Sequence, residues 1–133
     1  MCQQTIAPFV IFSAAQMGNY NMSLDVELYY EKDLQEDNIV YEANITHNLN
    51  RMATQAGLYY PLWRATDVLA VKQAGELIPL LRAGIKALES DREYFEEFNP
   101  ENGWGDYEIL LSFARAYLVA CEGHPYSLVY ISR

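Results

Sequence analysis

The segment SLDVELYYE, residues 23–31, decides the fold, because apolar and polar side chains alternate along it. Leu24, Val26 and Leu28 alternate with acidic residues, which is the period-two pattern of a half-buried β-strand. A second alternation follows at residues 39–45, after a short polar connection. Because an antiparallel hairpin is the simplest pairing of two such strands, we predict one at this point of the chain.

Helical segments are predicted where apolar residues recur three and four positions apart. Thr46 is a typical N-cap, since its hydroxyl can accept a backbone amide of the first turn, and Gly57 is a typical helix end. The predicted helices are 46–57, 74–88 and 107–121, with one or two helical turns at 91–98. The aromatic stretch 58–65 contains Pro61 and shows no clean period, so we predict a loop packed on the core there.

The order of these elements indicates the fold class. Pro79 stands early in the second long helix, either in its first turn or at a kink. The β-branched and aromatic segment 127–132 is predicted as a last strand. The order β-β-α-α-α-β is satisfied by an α+β fold, in which a small antiparallel sheet of about three strands packs against three or more helices. We predict one such domain over residues 22–133, with the uncharged residues 1–21 as an N-terminal appendage.

Charge excludes several classes of partner. The chain has nine basic and 18 acidic residues, for a formal charge of −9, so it lacks the basic face that duplex nucleic acid requires. Seven acids and one lysine lie within residues 25–42, and eight acids and one arginine lie within 89–108. Five basic residues against two acids make the intervening segment 51–86 positive. An anionic ligand is therefore expected to meet this central segment.

Cysteine, histidine and hydropathy exclude further classes. Cys2 and Cys121 lie far apart and outside any C-x-x-C spacing, which argues against a disulfide framework or a structural zinc site. With only His47 and His124 as imidazoles, we expect no metal and no cofactor. The apolar run near the N-terminus is too short to span a bilayer, so we expect no membrane partner and a location in a reducing cytoplasm, which the resemblance described below implies to be that of a bacterial host.

The densest polar cluster is NITHNLN, residues 44–50, where a strand runs into a helix start. Such a junction turns backbone amides and the positive end of a helix dipole toward an anionic or carbonyl-bearing ligand. Asn44, Thr46, His47 and Asn48 are therefore candidate ligand-binding residues, with His47 expected to be neutral. In the alternative interpretation Thr46 is only a cap, the asparagines satisfy local backbone groups, and His47 is an ordinary surface residue.

The aromatic segment LYYPLWR, residues 58–64, supplies a second group of candidates. Tyr60 and Trp63 could form a stacking wall for a planar ligand, and Arg64 could supply a guanidinium. Trp63 fits equally well as a core residue whose indole N–H is hydrogen-bonded.

The turn-rich segment NPENGWGDY, residues 99–107, holds the last candidates, Asn102 and Trp104. A tryptophan between two glycines indicates a tight backbone path that could present the indole to a ligand. The structural alternative is a tight loop into the next helix, with Trp104 as its hydrophobic plug.

No common catalytic motif is present. The chain contains no G-x-S-x-G, no phosphate loop, no H-E-x-x-H and no dinucleotide-binding glycine pattern. Glu42 and His47 could act as an acid–base pair, with Asn44, only if they converge near the helix start. An enzyme is therefore the less favoured class, and we predict no catalytic residue.

The chain resembles a family of short proteins encoded by phages, prophages and bacteria. The resemblance rests on MSLDVELYY at 22–30, EANITHNL at 42–49, LWR at 62–64, NGWGDY at 102–107 and the terminal ISR. It covers residues 22–133 and brings no established activity with it. It implies a genomic setting, often viral, in which small proteins frequently disarm host defence.

Three functional hypotheses follow. The leading one is a non-enzymatic protein that captures a small polar or anionic ligand, such as a nucleotide-derived host immune signal. The second is an acidic inhibitor that imitates nucleic acid or occupies a basic groove on a host enzyme. The third is a small hydrolase or lyase that uses His47 and Glu42. The sequence is compatible with a homo-oligomer and leaves the ligand and the host target open.

Overall fold

The computed structural model of the protein describes residues 23–30 and 38–133. Short 3-10 turns at His47–Leu49 and Ala74–Leu77 lead into the first and third helices. The elements in chain order are β1 (Ser23–Tyr29), β2 (Ile39–Thr46), α1 (Asn50–Gln55), α2 (Tyr59–Trp63), α3 (Ile78–Ser90), α4 (Arg92–Glu96), α5 (Tyr107–Gly123) and β3 (Leu128–Ser132). The predicted α+β class is confirmed, and the element order is approximately the predicted one.

The three strands form one antiparallel sheet in the order β2-β1-β3. The hairpin of β1 and β2 is in the predicted place, with Leu24 opposite Ile45 and Val26 opposite Ala43. These residues face the helices, and Leu24 and Val26 are fully buried in the single core cluster. The outer face of the sheet is the opposite one, which carries Asp25, Glu27 and Tyr29 on β1, Glu42 and Asn44 on β2, and Tyr130 and Ser132 on β3.

The helices pack on the inner face through a close approach at Gly84 of α3. A Cβ atom at Gly84 would lie 2.2 Å from Cδ2 of Leu58, which is fully buried. Glycine inside a helix costs about 1 kcal/mol relative to alanine. The fold accepts that cost because a larger residue would push α3 away from the segment that precedes α2.

The helix ends agree with most of the sequence-based expectations. The Thr46 hydroxyl accepts the backbone N–H of Asn48, and Gly57 follows α1 with a φ of +77°. The second long helix begins as the 3-10 turn and continues as α3, with Pro79 in its first turn and no kink assigned to it. Asp106 caps α5 by accepting the N–H of Ile109.

The loop predicted over residues 58–65 is wrong in its centre, where α2 forms. Five residues are too few to display a helical period in the sequence. Pro61 is the third residue of α2, where a backbone N–H has no intrahelical partner to lose. Pro61, Leu62 and Trp63 are buried, so the predicted packing on the core is correct.

Two other expectations concern the N-terminal appendage and membrane-spanning helices. The appendage predicted over residues 1–21 lies outside the described residues. Within 23–30 and 38–133, no helix combines the length and the apolar character that crossing a membrane would demand.

Candidate functional site

The centre of the candidate site is a hydrogen bond between two aromatic side chains. Trp63 of α2 is 2% exposed, and its indole Nε1–H donates to Nδ1 of His47 at 2.8 Å. His47 lies in the 3-10 turn directly after β2, so the strand end and α2 together fix the position of the imidazole. Trp63 is therefore a core residue with a hydrogen-bonded indole N–H, and the expectation that its ring forms a stacking wall for a ligand is wrong because the ring is buried.

This bond determines the protonation of His47. An indole N–H can only donate, so Nδ1 must carry the lone pair and the neutral ring holds its proton on Nε2. Burial lowers the pKa of His47, and the nearby positive charge of Arg133 lowers it further. Among the described residues, nothing accepts a hydrogen bond from Nε2–H. His47 is therefore a fixed, neutral hydrogen-bond donor.

Two guanidinium groups share one carboxylate next to Trp63, and the positive charge of one of them, Arg133, acts on the imidazole. Arg133, which follows β3, donates from Nη1 to the Trp63 carbonyl at 3.0 Å and to Asp67 Oδ2 at 3.3 Å. Arg64 donates from Nη1 to the same Asp67 oxygen at 2.7 Å, and this bond holds the pKa of Asp67 below its usual value. The side chains of Arg64, Arg133 and Asp67 together carry a net charge of +1. We call His47, Trp63, Arg64, Asp67 and Arg133 the His47 site.

Aromatic rings border the His47 site on the α2 side. Tyr59 stacks on Trp63 with ring centroids 5.9 Å apart and planes within 12°. The Tyr59 hydroxyl accepts a long hydrogen bond of 3.4 Å from Arg64 Nε. Tyr60 packs edge-on against Tyr59 and is 52% exposed. The ring of Tyr60 is therefore open to a ligand, whereas Trp63 is not.

The other candidates at the helix start have mainly structural contacts. Thr46 caps the turn through Asn48, whose own side chain is exposed. The 99–105 loop reaches this turn, because a Cβ on Gly105 would lie 2.9 Å from the Thr46 Cγ2. The loop therefore packs against Thr46, inside the polar cluster of residues 44–50.

Within that loop, Asn102 accepts the backbone N–H of Trp104 through its side-chain oxygen. Trp104 is 68% exposed, so the expectation of a buried hydrophobic plug is wrong and the indole is presented to solvent. The loop thus exposes an aromatic ring at the residue before Gly105, the glycine that approaches the strand-to-helix junction.

Asn44 and Glu42 lie apart from His47, on the outer face of the sheet. The Asn44 amide donates to Ser23 Oγ at 2.7 Å and to Asp25 Oδ1 at 2.6 Å. Glu42 stands opposite Glu27 in the register of β1 and β2. In the described part of the chain no hydrogen bond joins Glu42 to His47, so the acid–base set is not assembled.

Sequence reasoning missed Tyr59, Asp67 and Arg133. Arg133 is 70 positions from Trp63, so no local pattern could pair them. The available signal was the terminal ISR, which the family resemblance had singled out together with LWR.

Other reactive groups do not add chemistry to this site. Cys121 is buried, and burial raises the pKa of its thiol to about 12, so it stays protonated and weakly reactive. Across residues 23–30 and 38–133, no three His, Cys, Asp or Glu side chains are grouped so as to hold a metal ion.

Comparison of the chain with protein-family models, curated proteins and solved structures gives no match.

Proposed function

We propose that the protein binds a small anionic, ring-bearing ligand at the His47 site and holds it without converting it. The observation that carries the proposal is the Trp63 to His47 hydrogen bond. It leaves Nε2–H as a neutral donor of fixed direction, near the positive charge of Arg133, whose guanidinium shares the Asp67 carboxylate with Arg64. A donor held in place before binding loses little entropy when a ligand arrives.

The surrounding groups favour a ligand with oxygen atoms that carry negative charge. Guanidinium groups present donors in a planar fork that matches phosphate and carboxylate oxygens. Tyr60 and Trp104 each expose an aromatic ring on which a planar group can stack. A nucleotide combines a phosphate with a planar base. The host setting that the family resemblance implies makes a nucleotide-derived immune signal our preferred ligand class.

The protonation of His47 supports binding over catalysis. A neutral imidazole has one lone pair in the ring plane, and that lone pair already accepts the indole N–H of Trp63. The same ring cannot abstract a proton from a substrate without giving up this bond. Glu42, the partner in the enzymatic hypothesis, lies on the outer face of the sheet opposite Glu27.

Imitation of nucleic acid has less support. In the acidic run 89–108 three carboxylates are already paired within the chain. Arg92 bonds Glu96 and Glu108, and Arg115 bonds Glu89. Carboxylates that are neutralised by neighbouring arginines are poor substitutes for a row of phosphates.

The proposal is tested by titrating the full chain with nucleoside monophosphates and with cyclic di- and trinucleotides in a calorimeter. At least one of these compounds should bind, and Arg133→Gln should weaken it by about tenfold or more, because a charged hydrogen bond is lost. Arg82→Gln is the matched control, since Arg82 is an exposed arginine paired with Glu122 on α5. Equal weakening by both variants, or steady conversion of the compound, would contradict the proposal.

A further inference from the structure

The outer edge of β2 has no paired strand among residues 23–30 and 38–133. The sheet order places β1 in the centre and leaves β2 and β3 at the edges. The edge of β3 is partly covered, because Val129 N–H donates to the Lys72 carbonyl and Leu128 forms a bridge with Gln73. In the described part of the chain no segment pairs with the far side of β2. An edge strand of this kind exposes a row of backbone donors and acceptors.

The sequence of β2 also lacks the usual features that prevent strand addition. Edge strands are commonly protected by proline, by lysine, by a bulge or by shortness. β2 is eight residues long, IVYEANIT, without proline or lysine, and its irregularity lies only at its start, opposite Leu28 and Tyr29. The remaining length, from 41 to 46, pairs regularly with β1 and can accept a partner along its other side.

The outer face of the sheet beside this edge is acidic. Glu42 stands directly opposite Glu27, and Asp25 is on the next pair along with Asn44. Glu27 is buried and its carboxylate accepts a hydrogen bond from the Tyr29 hydroxyl, so Glu42 is the acid of this pair that faces solvent. No basic side chain of the described residues forms an ion pair with Glu42. A lysine or arginine on an added strand next to Glu42 would supply one.

The inner face beside the same edge is apolar. Tyr41 and Ala43 are half-buried and pack against the core, and the Tyr41 ring stacks on Tyr117 of α5 at 5.9 Å. Side chains of an added strand alternate between the two faces of the sheet. Those on the inner side would lie beside Tyr41 and Ala43, where an apolar group is favoured.

We propose that the outer edge of β2 docks an extended segment of a partner protein in which basic and apolar side chains alternate. The segment adds a fourth strand to the sheet. Its backbone pairs with β2, its basic side chains lie next to Glu42, and its apolar side chains cover Tyr41 and Ala43. This proposal is independent of ligand binding at the His47 site.

The test uses a fluorescent peptide as long as β2, eight residues, in which lysine and valine alternate. Anisotropy measures its binding to the full chain. Glu42→Lys should weaken binding by about tenfold or more, because attraction between Glu42 and a peptide lysine becomes repulsion, and Glu42→Gln should weaken it by less, because the attraction is only removed. Glu93→Lys on α4 makes the same change of net charge at another exposed acid and should leave binding nearly unchanged.

A second peptide has the same composition in two blocks, four lysines followed by four valines. It keeps the charge of the first peptide, but its lysines no longer share one face of the strand. It should bind more weakly, and only the alternating peptide should protect β2 amides from hydrogen exchange. Equal effects of Glu42→Lys and Glu93→Lys, equal binding of both peptides, or no protection of β2 would overturn the proposal. A dimer of the chain formed through β2, seen by ultracentrifugation, would overturn it as well.

Discussion

Gly105→Ala should destabilise the protein more than any exposed loop substitution of equal size, because Gly105 holds the 99–105 loop against the start of α1. Its φ is +103°, and a Cβ atom there would lie 2.9 Å from Thr46 Cγ2 and 3.0 Å from Leu49 Cδ1. Leu49 is fully buried, so it cannot move aside into solvent. The substitution therefore disturbs both the backbone and the packing.

Gly103→Ala provides a matched control in the same loop. Gly103 also has a positive φ, +78°, but no atom lies within 4 Å of a Cβ placed there. A left-handed backbone costs a residue with a side chain about 1–2 kcal/mol, and both variants bear this cost. Only Gly105→Ala adds overpacking, typically about 1–3 kcal/mol. The difference between the two variants therefore reports the contact with Thr46 and Leu49 together with the extra backbone strain at the larger φ of Gly105.

Urea denaturation followed by circular dichroism measures both free energies of unfolding. The free energy of unfolding of Gly105→Ala should be lower than that of Gly103→Ala by about 1–3 kcal/mol. At this chain length that corresponds to roughly 3–5 °C in Tm for each kcal/mol. Equal stability of the two variants would refute the inference that the loop is packed on the helix start.

Three further predictions concern single side chains. Tyr117→Phe should raise the free energy of unfolding by about 1 kcal/mol, since the buried Tyr117 hydroxyl has no hydrogen-bond partner among the described residues; urea denaturation measures it. Asp106→Ala should cost about 1 kcal/mol by the same assay, because the N-cap bond to Ile109 is lost. The pKa of His47 is lowered from 6.5, so the unfolded chain binds its proton at higher pH than the folded chain does. The free energy of unfolding should therefore decline as pH falls from 6.5 through this lowered pKa. In His47→Asn, which keeps an acceptor for Trp63, the free energy of unfolding should decline less over the same pH range.

Each of these has a control or an opposing outcome. A loss of stability in Tyr117→Phe would show that the hydroxyl is satisfied in solution. Asp106→Asn keeps a capping oxygen and should stay near the wild type. Parallel pH profiles for the wild type and His47→Asn would show that His47 has an ordinary pKa in the folded protein.

The sheet and the long helices could be predicted from the sequence because each has enough residues to display its period. The alternation over β1 and β2 placed both strands, and apolar spacing placed α3 and α5. Helix α2 could not be predicted because its five residues are too few to show a helical period, and Pro61 in a sequence favours a loop. The same proline is tolerated in a first turn, where no hydrogen bond is lost.

The site could be predicted only in part because its residues meet through the tertiary fold. Thr46 was correctly predicted as an N-cap from the local pattern alone. His47 and Trp63 were both candidates, but their hydrogen bond joins elements that a single-sequence pattern cannot place side by side. Arg133 enters from the far end of the chain through β3, and the pairing of β3 with β1 determines where it lies.

The central claim is that the chain holds a small ligand at the His47 site, and native mass spectrometry tests it most directly. The full chain is incubated with extract of phage-challenged bacterial cells, separated from free small molecules and weighed intact. We expect a complex of one ligand per chain, released unchanged by heat, formed equally by Arg82→Gln and lost in Arg133→Gln. The bare mass of the chain, or a ligand whose mass has changed with turnover beyond one equivalent, would contradict the claim.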